Sequence, residues 1–349
     1  MDPFSQAVVG SVAAGCAGAK KDVRMALLAG GVAGMLADLD VLIRSESDPL
    51  MAVEFHRHFT HALFFIPFGG LIGTLLLWPL MRRRLPWRRL YLFTTLGYAT
   101  SGLLDACTSY GTHLLWPFTD ARTAWNIISI IDPVFTGALL AGVMTAFVSR
   151  RRVWAAAAAL FGLAYLGFGS LQHARAIAEV RELAARRGHD DVHMVSAKPS
   201  IGNLLLWRGL YGHDGQLHID AIRVPYLGGE VSVYEGAHTE LLELGELLEG
   251  VPEGSALEHD LQRFAHFSDH YLIRHPEHPD VLADARYAML PDSLMPLWGI
   301  EIDRSEPSRH APFESFREIG EERLERFRTM LLGRPVGVAE EQARPENAG

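Results

Sequence analysis

The chain has little cysteine: Cys16 and Cys107 are the only two in 349 residues. Both stand in apolar surroundings, so no disulfide framework is readable and the pair fixes no redox compartment. A basic excess is also missing. The formal net charge is −9, and the acid is concentrated late: 31 Asp+Glu against 18 Lys+Arg from Gln172 onward, versus 10 against 14 before it. An acidic second half has no footprint for phosphates, which argues against nucleic acid as a partner. The opening "MDPFSQAVVG" lacks the basic leading region of a secretory signal, so Phe4–Ala19 reads as a first apolar segment of the fold. No inverted repeat or matched pair of broken segments is evident, which leaves a transporter reading without support.

What the first half does have is long apolar runs. A helix crosses a bilayer in roughly 20 residues, and Ala62–Leu80, Leu90–Tyr110, Ile131–Val148 and Val153–Leu171 are of that order. Phe4–Ala19 is shorter, and Met25–Ile43 is interrupted near its end by Asp38 and Asp40. The expected architecture is an α-helical membrane domain of about six spans over residues 1–171, followed by a soluble α+β domain over 172–334 and a disordered tail over 335–349. The cations fall in alternate loops: Lys20, Lys21 and Arg24; "RRRLPWRR" from Arg82; and Arg150–Arg152. The positive-inside rule puts those loops in the cytoplasm and everything after Leu171 outside.

In that orientation Asp38 and Asp40, the stretch "HRHFTH" from His56 to His61, Asp105 and Asp132 all come to one membrane face. Ionisable groups beside hydrocarbon are costly and usually mark a site or a paired interior position. Asp and His together suit a hard-to-borderline divalent ion: zinc first, manganese or magnesium as alternatives. His56 and His61 are five apart, which on one helix sets them about 140° from each other. They converge only if a helix begins between them, with Thr60 or a neighbour as its cap.

These residues carry a resemblance. "ADLD", then "HRHFTHA", "LLDACTSYGTHLLWPF" and "WNIISIIDPVF" resemble, in order, the motifs of the membrane-bound metal-dependent hydrolase family, also described as LexA-binding, inner-membrane-associated hydrolases. The matching positions are Asp38, Asp40, His56, Arg57, Thr60, His61, Asp105, Thr108, Gly111, Trp116, Pro117, Asp132 and Pro133. The resemblance covers residues 1 to about 150 and implies a bacterial inner-membrane protein. Three positions depart from the pattern: Ala37 stands for a proline, His58 for a glycine, and Ser101 for a histidine four residues before Asp105. The last removes a ligand candidate, which His113 could replace from the loop.

Together these readings predict a metal held by Asp38, Asp40, His56, His61 and Asp105, with Arg57, Thr60 and Asp132 as catalytic residues. Arg57 would meet a developing oxyanion, and Asp132 would act as base or orienter. The reaction expected is hydrolysis, at the outer face of the lipid bilayer, of an ester or phosphoester of a lipid or its headgroup. The competing expectation is a non-catalytic scaffold or regulator whose acidic outer domain binds a partner. No motif specifies an oligomeric state.

The second half alternates differently. "VHMVSA", "NLLLWRGLY" and "GQLHIDAIRVPYL", with "HDG" (His213–Gly215) as a turn, read as antiparallel strands, as does Pro296–Asp303. Glu240–Leu248, Leu257–Phe267 and Phe313–Leu332 have helical spacing. His259, His266, His270, His275 and His278 fit no ligand spacing and are expected to be solvated at the surface.

Overall fold

Helix formation begins at a cap. In the computed structural model, which describes residues 1–317 and 320–336, the Asp2 carboxylate accepts the Ser5 amide at 3.0 Å and Pro3 sets the first turn of α1 (Pro3–Ala17). α2 (Val23–Gly34) is followed by bonds that tighten to i−3 spacing, Met35 N to Val32 O and Leu36 N to Ala33 O, and the chain continues as a 3-10 helix over Ala37–Leu42. A short α3 (Met51–Phe55) and two 3-10 turns, Phe59–His61 and Leu63–Phe65, lead into α4 (Ile66–Met81). α5 (Trp87–Cys107), α6 (Pro133–Ser149) and the 34-residue α7 (Val153–Arg186) complete the helical part.

Each of the six apolar segments is thus a helix. Among the described residues three stretches, Val23–Leu42, Leu63–Met81 and Val153–Arg186, are long and apolar enough to cross a membrane, and Pro133–Ser149 is apolar but shorter.

The chain divides into two compact units. The first comprises Met1–Ser45, Met51–His173 and Ile201–Leu204; the second comprises Glu46–Leu50, Ala174–Ser200 and the chain from Leu205 on. Within the first, α1, α2 and α5 approach backbone to backbone. A Cβ added at Gly10 or at Gly97 would run into the carbonyl of Gly30, and one at Gly30 into the carbonyl of Gly10. Such close approach is how helices associate where water supplies no driving force between them.

The second unit holds two four-stranded antiparallel sheets in chain order. The first is β1 (His193–Pro199), β2 (Leu206–His213), β3 (Gln216–Arg223) and β4 (Ser232–Glu240). Asp214 (φ 47°) and Gly215 (φ 72°) form the two-residue turn that sets His213 opposite Gln216, the left-handed pair such a hairpin requires. The second is β5 (Leu272–Arg274), β6 (Val281–Asp284), β7 (Trp298–Glu301) and β8 (Phe313–Ser315). Leu210, Leu217 and Ile219 of the first sheet share a core with Tyr271, Ile273, Ala283 and Ala285. Helices α8 (Leu244–Leu248), α9 (Ala256–Phe267) and α10 (Glu321–Leu331) complete the unit.

Three expectations need correction. Glu240 ends β4, so only Leu244–Leu248 of the expected Glu240–Leu248 helix is helical. Phe313 pairs with Ile300 across β7–β8, because the edge of β7 offers a backbone ladder that outweighs the local helical pattern, and the helix starts only at Glu321. His275 is buried, not solvated: its ring packs on Phe316 and its Nδ1 accepts the amides of Glu277 and His278 at 3.1 Å. Of the expected tail, residues 337–349 lie outside the described residues.

The glycine contact gives the first prediction. Gly30→Ala should lower the stability of the helical unit by about 1–3 kcal/mol, the usual cost of overpacking, measured from the unfolding midpoint in mixed detergent. Gly137→Ala on α6, where an added Cβ meets nothing within 4 Å, should be neutral or stabilising by up to about 1 kcal/mol. Equal effects would contradict the packing described.

Candidate metal centre

The tightening of the chain after Gly34 is what turns both Asp38 and Asp40 inward. Each is buried, yet they do different things. Asp40 organises the stretch from His56 to His61: its Oδ2 accepts the Arg57 amide at 2.8 Å and the Thr60 hydroxyl at 3.0 Å, and its Oδ1 meets His56 Nδ1 at 2.9 Å. His61 Nδ1 lies 3.2 Å from Oδ2 of the same carboxylate. The expected convergence of His56 and His61 therefore occurs on a carboxylate, and the α-helix α4 begins only after a further turn. Arg57 sits in this loop with φ 60°, a left-handed backbone held in place because its carbonyl accepts from both His113 N and the Thr112 hydroxyl.

The opposite edge of His61 looks into the helical unit. His61 Nε2 is 2.9 Å from Asp105 Oδ2 and 3.3 Å from Asp38 Oδ1. Asp38, His61 and Asp105 can each offer one ligand atom with all three within 4.8 Å of one another. Gly102, one turn back along α5 from Asp105, makes this possible, since any Cβ there would strike the His61 carbonyl.

Asp105 is fully buried and is contacted by the Met1 amino group, by Arg57 Nε at 3.4 Å and by Gln6 Nε2 at 3.0 Å. Gln6 also donates to Asp38 at 3.2 Å. Two buried oxygens in this cluster, Gln6 Oε1 and Asp38 Oδ2, have no hydrogen-bond partner, while Arg57 Nε and His61 Nε2 face carboxylates as ion pairs without an aligned hydrogen bond. Unsatisfied buried polar atoms are rare and call for an explanation such as an ion. Burial disfavours a charge on His61, but the Asp105, Asp38 and Asp40 carboxylates beside the ring override it and hold the imidazole above its ordinary range. A cation entering the cluster would displace that proton.

Of the five expected ligands the structure thus brings three together and places Asp40 and His56 behind His61. Thr60 is committed to Asp40, and its carbonyl accepts the Tyr98 hydroxyl at 2.6 Å. Asp132 caps α6: its Oδ1 accepts the Phe135 amide at 3.0 Å and its Oδ2 the Tyr165 hydroxyl at 2.8 Å. Ser101, the position where the resemblance led one to expect a histidine, donates to the Gly34 carbonyl at 2.7 Å and so ties α5 to the end of α2. His113 does not join the group; its ring packs on His58, 4.5 Å between centroids. Burial pushes His58 below the usual imidazole range. Gln6 and Tyr98 were missed by the sequence reading. For Gln6 the signal was an amide in an otherwise Gly- and Ala-rich apolar helix.

A second group, Asp48, Asp260 and His310, also has close ligand atoms. There the Arg263 guanidinium stands 2.9 Å from Asp48 and 3.1 Å from Asp260, so the carboxylates already have their cation.

The family model for the YdjM inner membrane protein matches residues 1–176, half of the chain and every residue of the cluster. The chain belongs to that family. No curated protein and no solved structure matches it. The YdjM match ends before the two sheets, which lie beyond the part the family model covers.

The role given to Asp40 can be tested without any metal. Arg57 is buried, so trypsin in detergent solution should not cleave after it in the native protein. Asp40→Ala removes charge-assisted hydrogen bonds of about 1.5–3 kcal/mol each and should raise cleavage at Arg57 by tenfold or more, with Asp38→Ala changing it little. The opposite ranking would reassign the loop anchor.

Proposed function

We propose that this member of the YdjM family is a metal-dependent hydrolase of the inner membrane, acting at the membrane face on an ester or phosphoester of a lipid or its headgroup. The observation that carries the reading is the convergence of Asp38, His61 and Asp105 on one buried point beside two unpartnered oxygens, Gln6 Oε1 and Asp38 Oδ2. Two carboxylates and an imidazole suit zinc, with manganese or magnesium as alternatives. A divalent ion there would supply Lewis acidity and an activated water.

The chain's own residues have definable tasks in this reading. Asp40 orients His61 from behind through Nδ1, the carboxylate–histidine arrangement that fixes ring orientation and raises ligand basicity. His56 and Thr60 hold Asp40 in turn. Arg57 places Nε toward Asp105 while its Nη1 is fixed by the Thr108 hydroxyl at 2.9 Å. Its charge is thereby positioned for an anionic oxygen of the substrate. Asp132 positions α6 as its cap. The reading includes six membrane crossings with the alternate cationic loops in the cytoplasm and the second unit outside, from the positive-inside rule.

A second reading is a scaffold or regulator whose acidic second unit binds a partner. One observation favours it: the Met1 amine, Arg57 and His61 already surround Asp105, so its charge is balanced without an ion.

Metal stoichiometry separates the two. After reconstitution with zinc, manganese or magnesium, the wild type should hold metal, His61→Ala should lose it while still inserting, and His58→Gly should keep it. Equal loss in both variants would contradict a ligand set that includes His61 and leaves out His58. A wild type that takes up none of the three ions would refute the site.

A further inference from the structure

His189, His213, His218 and His238 are spread over fifty residues of sequence, yet in the second unit their rings form one connected array. Strand register explains most of it. Tyr211 on β2 and His238 on β4 are both direct partners of His218 on β3, so the three share one face of the sheet, and His213, two residues after Tyr211, points the same way. The C-terminal part of α7 packs across that face, where Val180 lies with Ile222 against Gly209. Its end delivers Arg187 and His189, with Gly188 (φ 76°) making the turn between them.

The contacts at this end are close. His189 stacks on His213 at 4.2 Å between centroids and meets His218 at 4.7 Å. His218 stacks on Tyr211 at 4.7 Å and meets His238 at 5.5 Å. Arg187 donates to both oxygens of Asp220 at 2.7 and 2.8 Å, and the Tyr211 hydroxyl lies 3.1 Å from Arg187 and 3.0 Å from His189 Nδ1.

Charge around His218 is one-sided. Arg187 and the imidazoles of His189 and His238 act on it from α7 and β4, against the Asp220 carboxylate of its own strand. Asp220 is already committed, to Arg187 and to the Gly236 amide at 3.1 Å. Asp214 stands 3.4 Å from His213 but is 88% exposed, so solvent screens it. His193 of β1 lies against Gly212, and Asp190 and Asp191 are exposed on the segment after His189. Burial first, then His189, His238 and Arg187, push the His218 imidazole down to about 4.

We infer that these four imidazoles form a proton-sensitive clasp: neutral, they stack and hold the end of α7 on the sheet, and in mild acid their accumulating charge releases the segment from Arg187 to His193. A ring freed from the cluster takes its proton near the ordinary histidine value of about 6.5. The open form therefore binds more protons than the closed one, and the closed form loses stability as pH falls from about 6.5 toward 4. The clasp belongs to the second unit and does not rest on the hydrolase reading.

Hydrogen–deuterium exchange of the full chain in detergent, at pH 7.5 and 5.0 with EDTA throughout, tests the clasp. After correction for intrinsic exchange, opening of the segment 187–193 should rise roughly 30-fold between the two pH values, the factor set by a group shifted from about 6.5 to about 4. The amides of β7 serve as an internal reference and should stay unchanged. His218→Gln and His218→Phe, the second keeping a ring on Tyr211, should match wild type at pH 7.5 and lose most of the rise at pH 5.0. No rise in wild type, an equal rise in β7, or a full rise in whichever of the two variants retains protection at pH 7.5 would overturn the proposal.

Discussion

Everything at the candidate centre follows from the burial of three carboxylates, Asp38, Asp40 and Asp105, in an apolar helical unit. An ionised carboxylate taken from water costs several kcal/mol unless it is paired and hydrogen-bonded. The chain meets that demand by folding the segment from His56 to His61 into the cluster, where backbone amide, hydroxyl, imidazole and guanidinium all face a carboxylate. That requirement in turn explains the glycines: only without side chains at Gly102 and Gly30 do the helices come close enough to share the charges. The unpartnered Gln6 Oε1 and Asp38 Oδ2 mark where this compensation stops short.

The architecture was legible wherever a long period dominated. The six apolar segments became α1, α2, α4, α5, α6 and α7 because runs of that length have few alternatives to helix. The hairpin at Asp214–Gly215 was legible from its turn chemistry. What was not legible depended on partners far away in the chain. Phe313 has helical neighbours in sequence but a strand neighbour in space, and His275 looks polar in sequence but is covered by Phe316.

The site was legible in its residues and only partly in its layering. Sequence order grouped Asp38, Asp40, His56, His61 and Asp105, but could not tell which carboxylate faces His61 Nε2 and which faces Nδ1. That distinction arises from the 3-10 geometry after Gly34, which no composition signal announces. Gln6 escaped because its partners lie 32 and 99 residues away. Asp132, next to a proline at a helix start, carried the signal of an N-cap all along.

The central claim is that Asp38, His61 and Asp105 form the ligand set of a divalent cation, with Asp40 and His56 one layer behind. X-ray absorption at the zinc edge of the reconstituted protein tests it most directly. The account predicts a shell of nitrogen and oxygen at about 2.0–2.2 Å with outer-shell scattering from a single imidazole. Two or more imidazoles, or any sulfur at about 2.3 Å, would contradict it.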